Sequence, residues 1–111
     1  MRQLTYLACP YSHQNPLIRQ ARFEAANRAA GNLMARGLMV FSPVSHSHPI
    51  AEACDLPKDW EFWREYCLTL LSMAKQVYVL RCLGWTESVG VQAEIAHANE
   101  QGIPVFFMDE E

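Results

Sequence analysis

Short apolar runs alternate with amphipathic stretches along the chain. Four runs are apolar almost throughout, at 4–8, 38–41, 76–80 and 103–107, and such runs bounded by turn residues predict buried strands. Between them, hydrophobic positions recur at helical spacing. The pattern predicts the order β-α-β-α-β-α-β, with a parallel sheet that helices cover on both faces.

The three predicted helices carry recognisable end signals. Polar N-caps, proline in the first position and glycine past the last turn are favoured at helix ends. On these signals the first helix begins at Asn15-Pro16 and ends at Arg36-Gly37, the second begins at Asp59, and the third runs from Ser88 to Gly102.

The segment after Ser42-Pro43 is polar, and we interpret it as a loop that contains His46 and His48. With Cys54, these two histidines match no tetrahedral metal-ligand spacing. The wall of a ligand pocket, or a solvated loop, is the favoured interpretation. We expect no metal.

The element order predicts one Rossmann-like α/β domain over 1–111. Right-handed crossovers favour the strand order 2-1-3-4. In such sheets ligands bind beyond the carboxyl ends of the strands, near the point where the strand order reverses. The segments 8–13 and 81–88 flank that point. Neither contains a dinucleotide-binding or phosphate-loop glycine motif, which disfavours both of those functions.

Glu94 is the strongest candidate for chemistry. Val91, Ile95 and Ala98 form the core stripe of the last helix, and Glu94 falls on the same face. A carboxylate there is unfavourable without partners, and the positive helix end helps to keep it ionised. Ser88 and Gly90 at the helix start offer a hydroxyl and open backbone for an anion. The alternative is that Glu94 lies at the edge of the stripe and reaches solvent.

Two stretches carry a resemblance to a known family. Ser88-Val89-Gly90-Val91-Gln92-Ala93-Glu94-Ile95, followed by Gly102-Ile103-Pro104-Val105, and Tyr6-Leu7-Ala8-Cys9-Pro10-Tyr11 resemble segments of the nucleoside 2-deoxyribosyltransferase family. Its relatives include 2′-deoxynucleoside 5′-phosphate N-hydrolases and uncharacterised bacterial domains. The resemblance extends over most of the chain.

The resemblance implies a flavodoxin-like three-layer fold, no metal or other cofactor, and a nucleoside or nucleotide substrate. It implies that Glu94 attacks C1′ of a deoxyribosyl group and displaces the base, as nucleophilic carboxylates do in retaining glycosidases. It also implies that Tyr6 holds the nucleophile and that Ser88 contacts a 5′-phosphate. The further candidates for substrate binding are Gly90, Pro10, Tyr11, Arg81, Trp85 and His46.

The chain departs from the family in two places. Cys67 occupies the position of an Asp that assists the leaving base, so that either Glu65 or Asp59 substitutes, or the activity is changed or lost. The loop Cys-Pro-Tyr-Ser-His after the first strand also lacks the glycines and the arginine of the hydrolase branch.

Three aromatic or charged residues have competing interpretations. Trp60 and Trp63 are expected to pack as core or subunit interface rather than to stack on a base. Arg81 either pairs with Glu94 or a phosphate, or lies on the surface as an ordinary charged residue.

Composition narrows the range of partners that the protein is expected to bind. The net charge is −3 and charged residues make up 19% of the 111 residues, which provides no electrostatic footprint for a nucleic acid polymer or an anionic membrane. No apolar run approaches the roughly 20 residues that span a bilayer, and the N-terminus is too short for a signal peptide. A cytoplasmic protein with four reduced cysteines is expected.

Three hypotheses remain from the sequence. The first is an enzyme that acts on the N-glycosidic bond of a nucleoside or nucleotide, and the second is a binding module that has lost this chemistry. The third is a structural or interaction domain. Because a 111-residue sheet domain with three tryptophans has few elements to cover them, we also expect a homo-oligomer.

Overall fold

The computed structural model describes residues 3–110. Four strands and four helices follow one another in the order β1 (Leu4–Ala8), α1 (Pro16–Ala35), β2 (Met39–Phe41), α2 (Pro43–Cys54), α3 (Trp60–Leu71), β3 (Gln76–Leu80), α4 (Val89–Glu100) and β4 (Val105–Met108).

The strands form one parallel sheet in the order β2-β1-β3-β4. Tyr6 in the central strand β1 is in register with Phe41 of β2 and Val77 of β3. The α/β class and the order 2-1-3-4 are therefore confirmed. The strand order reverses between β1 and β3, so their carboxyl ends define the place where a ligand site is expected.

The sheet is the middle of three layers. Leu7 of β1 and Leu80 of β3 face a core formed with α1 and Val44 at the start of α2. Their neighbours Tyr6 and Val79 point to the opposite face, where α3 and α4 pack. The alternation follows from the two-residue period of a strand, and both faces of the central strands are buried.

A helix occupies the segment that we predicted as a loop, and that prediction is wrong. The Oγ of Ser42 accepts a hydrogen bond from the backbone N–H of Ser45, and Pro43 takes the first position of α2. Val44, Ser47, His48 and Ala51 are buried at helical spacing, so the amphipathic stripe was present in the sequence. Its serine, histidine and proline content is typical of loops, and this obscured the stripe.

The predicted ends of α1 are confirmed, and the last strand lies slightly later in the chain than predicted. Asn15 caps α1 and Gly37 follows it with φ of 91°, a left-handed conformation that glycine adopts without strain. The last strand covers Val105–Met108 rather than 103–107, because Pro104 has no N–H for the ladder. No helix within residues 3–110 is long and apolar enough to cross a membrane.

Candidate active site

A cavity of about 200 Å³ opens beside the carboxyl end of β1, where the segments that precede α2, α3 and α4 converge. Its walls come from the β1 loop, α2, the N-terminal half of α3 and the N-terminal half of α4. They comprise Cys9, Tyr11, Ser12, Pro43, Val44, Ser47, Asp59, Trp60, Trp63, Cys67, Glu87, Ser88, Val89, Gly90 and Glu94. The sheet topology thus brings four of the predicted site residues to one cavity: Tyr11, Ser88, Gly90 and Glu94.

Glu94 forms part of the inner wall of this cavity. Its side chain is only 3% exposed, and its Oε2 accepts a hydrogen bond from the hydroxyl of Tyr6. Burial raises the pKa of Glu94 to about 8, although the hydrogen bond from Tyr6 lowers it in part. Glu94 is therefore a buried carboxyl group beside a cavity, with one fixed donor, and it does not reach solvent as the alternative interpretation supposed.

Tyr6 lies behind Glu94 rather than in the cavity wall. It belongs to the central strand and is completely buried, so the sheet itself positions its hydroxyl. Burial first, and then the charge of Glu94, raise the pKa of Tyr6 well above its ordinary value. Tyr6 consequently keeps its proton at neutral pH, and its hydroxyl donates a hydrogen bond to Glu94.

Cys67 occupies the cavity wall next to this pair. Burial and the charge of Glu94 raise the pKa of Cys67 to about 12, so that the thiol is neutral at physiological pH. A thiol that does not ionise is a poor nucleophile, and it is also a much weaker acid than a carboxyl group. Cys67 cannot assume the role of an Asp.

The start of α4 is shaped by Ser88 and Gly90. The Oγ of Ser88 accepts a hydrogen bond from the N–H of Val91 at 3.1 Å, so the predicted cap is present. A Cβ at Gly90 would lie 3.0 Å from Cε3 of Trp60. The absence of a side chain therefore lets the Trp60 ring lie against the first turn of α4, where the ring forms a wall of the cavity.

The mouth of the cavity is acidic. Asp59 and Glu87 are exposed residues of its lining. Asp59 has the N-cap position of α3, but its side chain makes no capping hydrogen bond there, which leaves the carboxylate available to a ligand. Glu65, the other candidate substitute for the family's acid, is exposed and does not line the cavity. No lysine, arginine or histidine belongs to the lining within residues 3–110.

Arg81 pairs with Asp109 and not with Glu94, and it lies on the surface as the alternative interpretation expected. Its Nε lies 3.0 Å from Oδ1 of Asp109, and a second nitrogen donates to Oδ2 at 3.2 Å. Leu80 is in register with Met108, so the next residues, Arg81 and Asp109, meet across the ends of two parallel strands. This register directs the guanidinium to the sheet edge, away from the cavity.

Three other predicted binding residues also lie outside the cavity lining. Trp85 packs against the Phe107 ring at 5.6 Å, and Pro10 is buried beside the core. His46 stacks on Tyr66 and shares a hydrogen bond of 2.8 Å with its hydroxyl. The first turn of α2 places His46 on the outer surface.

Sequence reasoning missed the aromatic wall. Trp60 and Trp63 pack against the core of the second face, as expected, and they also line the cavity. The Trp63 Nε1 donates to the carbonyl of Pro57 at 2.8 Å, which fixes the ring. Helical spacing identifies the inward face of α3 but does not distinguish a core position from a cavity wall. Ser47 of α2 was missed because that segment was interpreted as a loop.

The comparisons with known proteins place the chain in a family without assigning a reaction. No curated protein matches the sequence. Among known protein families, the one described as "Domain of unknown function (DUF1937)" matches residues 3–110, which is nearly the whole chain. The chain therefore belongs to the DUF1937 family.

Proposed function

We propose that this protein cleaves the N-glycosidic bond of a nucleoside or nucleotide, by hydrolysis or by transfer of the deoxyribosyl group, through a covalent intermediate on Glu94. The observation that carries the proposal is the buried carboxyl group of Glu94 beside a cavity, held by the hydroxyl of Tyr6. These two residues are the nucleophile and the positioning tyrosine that the family resemblance implies.

The first half of the reaction forms an ester on Glu94. A carboxylate oxygen attacks C1′ while the bond from C1′ to the base nitrogen breaks, and the base leaves with the bonding electron pair. Positive charge develops on the sugar in the transition state, and an adjacent carboxylate stabilises it. In a water-poor site this stabilisation is stronger than in bulk solvent.

The departing base needs a proton, and it needs an aromatic surface on which to stack. Asp59 is the lining carboxylate at the start of the helix that carries Cys67, whereas Glu87 precedes α4 and Glu65 lies outside the cavity. We assign to Asp59 the relay of a proton from solvent to the leaving nitrogen of the base. Trp60 and Trp63 offer aromatic faces in the same wall, and stacking on such faces binds any of the bases.

The second half regenerates the carboxylate. A water oxygen, or a nitrogen of a second base, attacks C1′ and loses its proton, and the ester bond to Glu94 breaks. Water as acceptor gives hydrolysis and a base gives transfer. Both routes share the first half, so release of the first base is the common readout.

The test is incubation with a panel of deoxynucleosides and their 5′-monophosphates, with free base measured by chromatography. The wild-type protein should release base from at least one of them, and Glu94→Gln should be at least a hundredfold slower, which corresponds to about 2.7 kcal/mol of barrier. Glu100→Gln is the matched control, since it makes the same chemical change at the exposed end of the same helix, outside the cavity lining. Equal rates for wild type and Glu94→Gln would refute the nucleophile assignment.

A second candidate is a nucleoside-binding module without catalysis. The observation that favours it is Cys67, whose neutral thiol lies in the cavity wall where the nucleoside 2-deoxyribosyltransferases that the chain resembles have an acid. Restoring that acid with Cys67→Asp separates the two candidates. A wild-type protein that binds nucleosides without releasing base, together with an active Cys67→Asp variant, would establish the binding module.

A further inference from the structure

A chain of hydrogen bonds leads from the surface of α1 to the cavity wall. The hydroxyl of Tyr11 and Nδ1 of His48 are 2.6 Å apart, and Nε2 of His48 lies 3.0 Å from Oε1 of Gln20. The other end of the Gln20 amide, Nε2, donates to the carboxylate of Glu24 at 3.1 Å. His48 is 4% exposed, and the Phe23 ring packs on it with 4.5 Å between the centroids.

The Glu24 carboxylate at the outer end of this chain determines which atom donates in each of its hydrogen bonds. A carboxylate only accepts, so the Gln20 amide must present its oxygen to His48. That oxygen requires a proton on Nε2 of His48, and a neutral imidazole then has a lone pair on Nδ1. The hydroxyl of Tyr11 consequently donates to His48. The Tyr11 oxygen then only accepts hydrogen bonds. Arg19 is one donor to it, since this hydrogen bond lowers the pKa of Tyr11, and a group in the cavity would be another.

Burial above all keeps His48 in this neutral form. Burial lowers the pKa of His48; the carboxylate of Glu52 opposes this, and the cations of Arg19 and Lys58 add to it. Burial likewise raises the pKa of Tyr11, so the phenol retains the proton that it donates. The groups that face His48 thus come from α1, α2 and the loops before α1 and α3: Arg19, Gln20, Glu52, Lys58 and Tyr11.

Beside His48, Ser47 contributes an unsatisfied hydroxyl. Ser47 is 7% exposed and lines the same cavity as Tyr11, yet its Oγ has no hydrogen-bond partner within the described part of the chain. A buried hydroxyl without a partner destabilises the protein, because it has lost its hydrogen bonds to water and gained none in return. A bound ligand that accepts a hydrogen bond from Ser47 would remove that penalty.

We propose that Tyr11 and Ser47 form a hydroxyl-recognising subsite, with His48 as the positioning residue, and that the group it binds is a hydroxyl of the substrate's sugar. A hydroxyl group donates one hydrogen bond and accepts others, which matches an acceptor at Tyr11 and a donor at Ser47. The identity of the ligand as a nucleoside rests on the proposed function. The proton direction at Tyr11 does not.

The first measurement tests the hydrogen-bond chain without any ligand. Nitrogen NMR of the wild-type protein at neutral pH should show His48 protonated on Nε2 alone. Gln20→Glu places a full negative charge against His48 and should shift the protonation midpoint of His48 to higher pH. Gln20→Leu removes the acceptor at Nε2, and the preference of the His48 proton for that nitrogen should be lost. A proton on Nδ1 in the neutral wild type would overturn the inference.

The second measurement compares three ligands by equilibrium binding, in a Glu94→Gln background that prevents turnover. The probes are 2′-deoxyadenosine and its analogues without the 3′-hydroxyl or without the 5′-hydroxyl. Loss of one of these hydroxyls should weaken binding by tenfold or more, because the polar groups of the site are then left unpaired. In Tyr11→Phe and Ser47→Ala that discrimination should fall to about twofold or less.

The pH dependence separates positioning from simple packing. Protonated His48 would donate a hydrogen bond from Nδ1 to the Tyr11 oxygen, so the Tyr11 hydroxyl would turn its proton toward the cavity. Binding of 2′-deoxyadenosine should therefore weaken as the pH falls through the titration of His48. In His48→Asn, whose side-chain oxygen can accept from Tyr11 and does not titrate, binding should persist without this low-pH loss; in His48→Leu, discrimination should be lost at every pH.

The two proposals fail in different ways. If 2′-deoxyadenosine and both analogues bind equally while base release from deoxynucleosides proceeds, the subsite is refuted and the proposed function stands. If His48 has the expected tautomer but none of the three probes binds and no nucleoside is cleaved, the proposed function and the sugar assignment are both refuted.

Discussion

Replacing Glu94 with glutamine should make the stability of the protein less dependent on pH. The side chains are nearly equal in size, so packing in the wall should hold, and the amide oxygen can still accept from Tyr6. Only the titration disappears. In the wild type, the folded state binds a proton at Glu94 up to pH of about 8, whereas the unfolded chain releases it near 4.5.

The sign and size follow from this difference. Between those two pH values the folded state holds more protons than the unfolded state, so the wild type loses stability as the pH rises. At 1.36 kcal/mol for each pKa unit, the rise from 4.5 to about 8 corresponds to about 5 kcal/mol. Below pH 4.5 Glu94 is protonated in both states and does not change the free energy of unfolding. Above pH 8 it is ionised in both states, and the loss of stability stays constant.

Urea unfolding of wild type and Glu94→Gln at pH 5, 7 and 9 measures the effect. The variant should gain several kcal/mol relative to wild type between pH 5 and pH 9, and the exposed control Glu100→Gln should follow the wild type across the same range. The reasoning is refuted if the Glu94→Gln and wild-type free energies of unfolding run parallel, because Glu94 would then be ionised in the folded protein at all three values.

Activity should rise with pH: because only the ionised carboxylate of Glu94 attacks C1′, kcat/KM should be half-maximal at pH of about 8 and level off above it, and a flat profile from pH 5 to 9 would contradict this. Gly90→Ala should displace the Trp60 ring, 3.0 Å from the new Cβ, and raise KM several-fold, whereas Gly31→Ala, which meets nothing within 4 Å, should leave KM unchanged. Arg81→Ala should change kcat/KM by about twofold at most and the free energy of unfolding by less than about 1 kcal/mol, since the Asp109 pair is exposed; a loss of activity would place Arg81 in the reaction.

The sheet could be predicted because its signals are local. Apolar strands such as 4–8 and 76–80 differ sharply from the capped helices between them, and the handedness of crossovers then determines the strand order. The helix α2 was not predicted, because two of the four residues in its buried stripe are polar: the stripe consists of Val44, Ser47, His48 and Ala51. Ser47 lines the cavity and His48 is buried through hydrogen bonds to Tyr11 and Gln20, so hydrophobic periodicity alone does not reveal either residue.

Most of the site residues that could be predicted lie on one helix, and Tyr11 alone came from the rule that ligands bind beyond the carboxyl ends of the strands. Ser88, Gly90 and Glu94 share α4, so their common face could be counted from the sequence. Arg81 depended on the strand register that places it opposite Asp109, and Trp60 depended on the space that Gly90 leaves. Both are long-range relations that sequence spacing does not contain.

Intact mass spectrometry of an acid-quenched reaction tests the covalent intermediate most directly. During turnover of the best nucleoside substrate, the wild-type protein should gain the mass of one sugar residue, carried by the peptide that contains Glu94. The Glu94→Gln variant should carry no such adduct and release no base. Base release at equal rates by wild type and Glu94→Gln, or an adduct on any other residue, would contradict the assignment of Glu94 as the nucleophile.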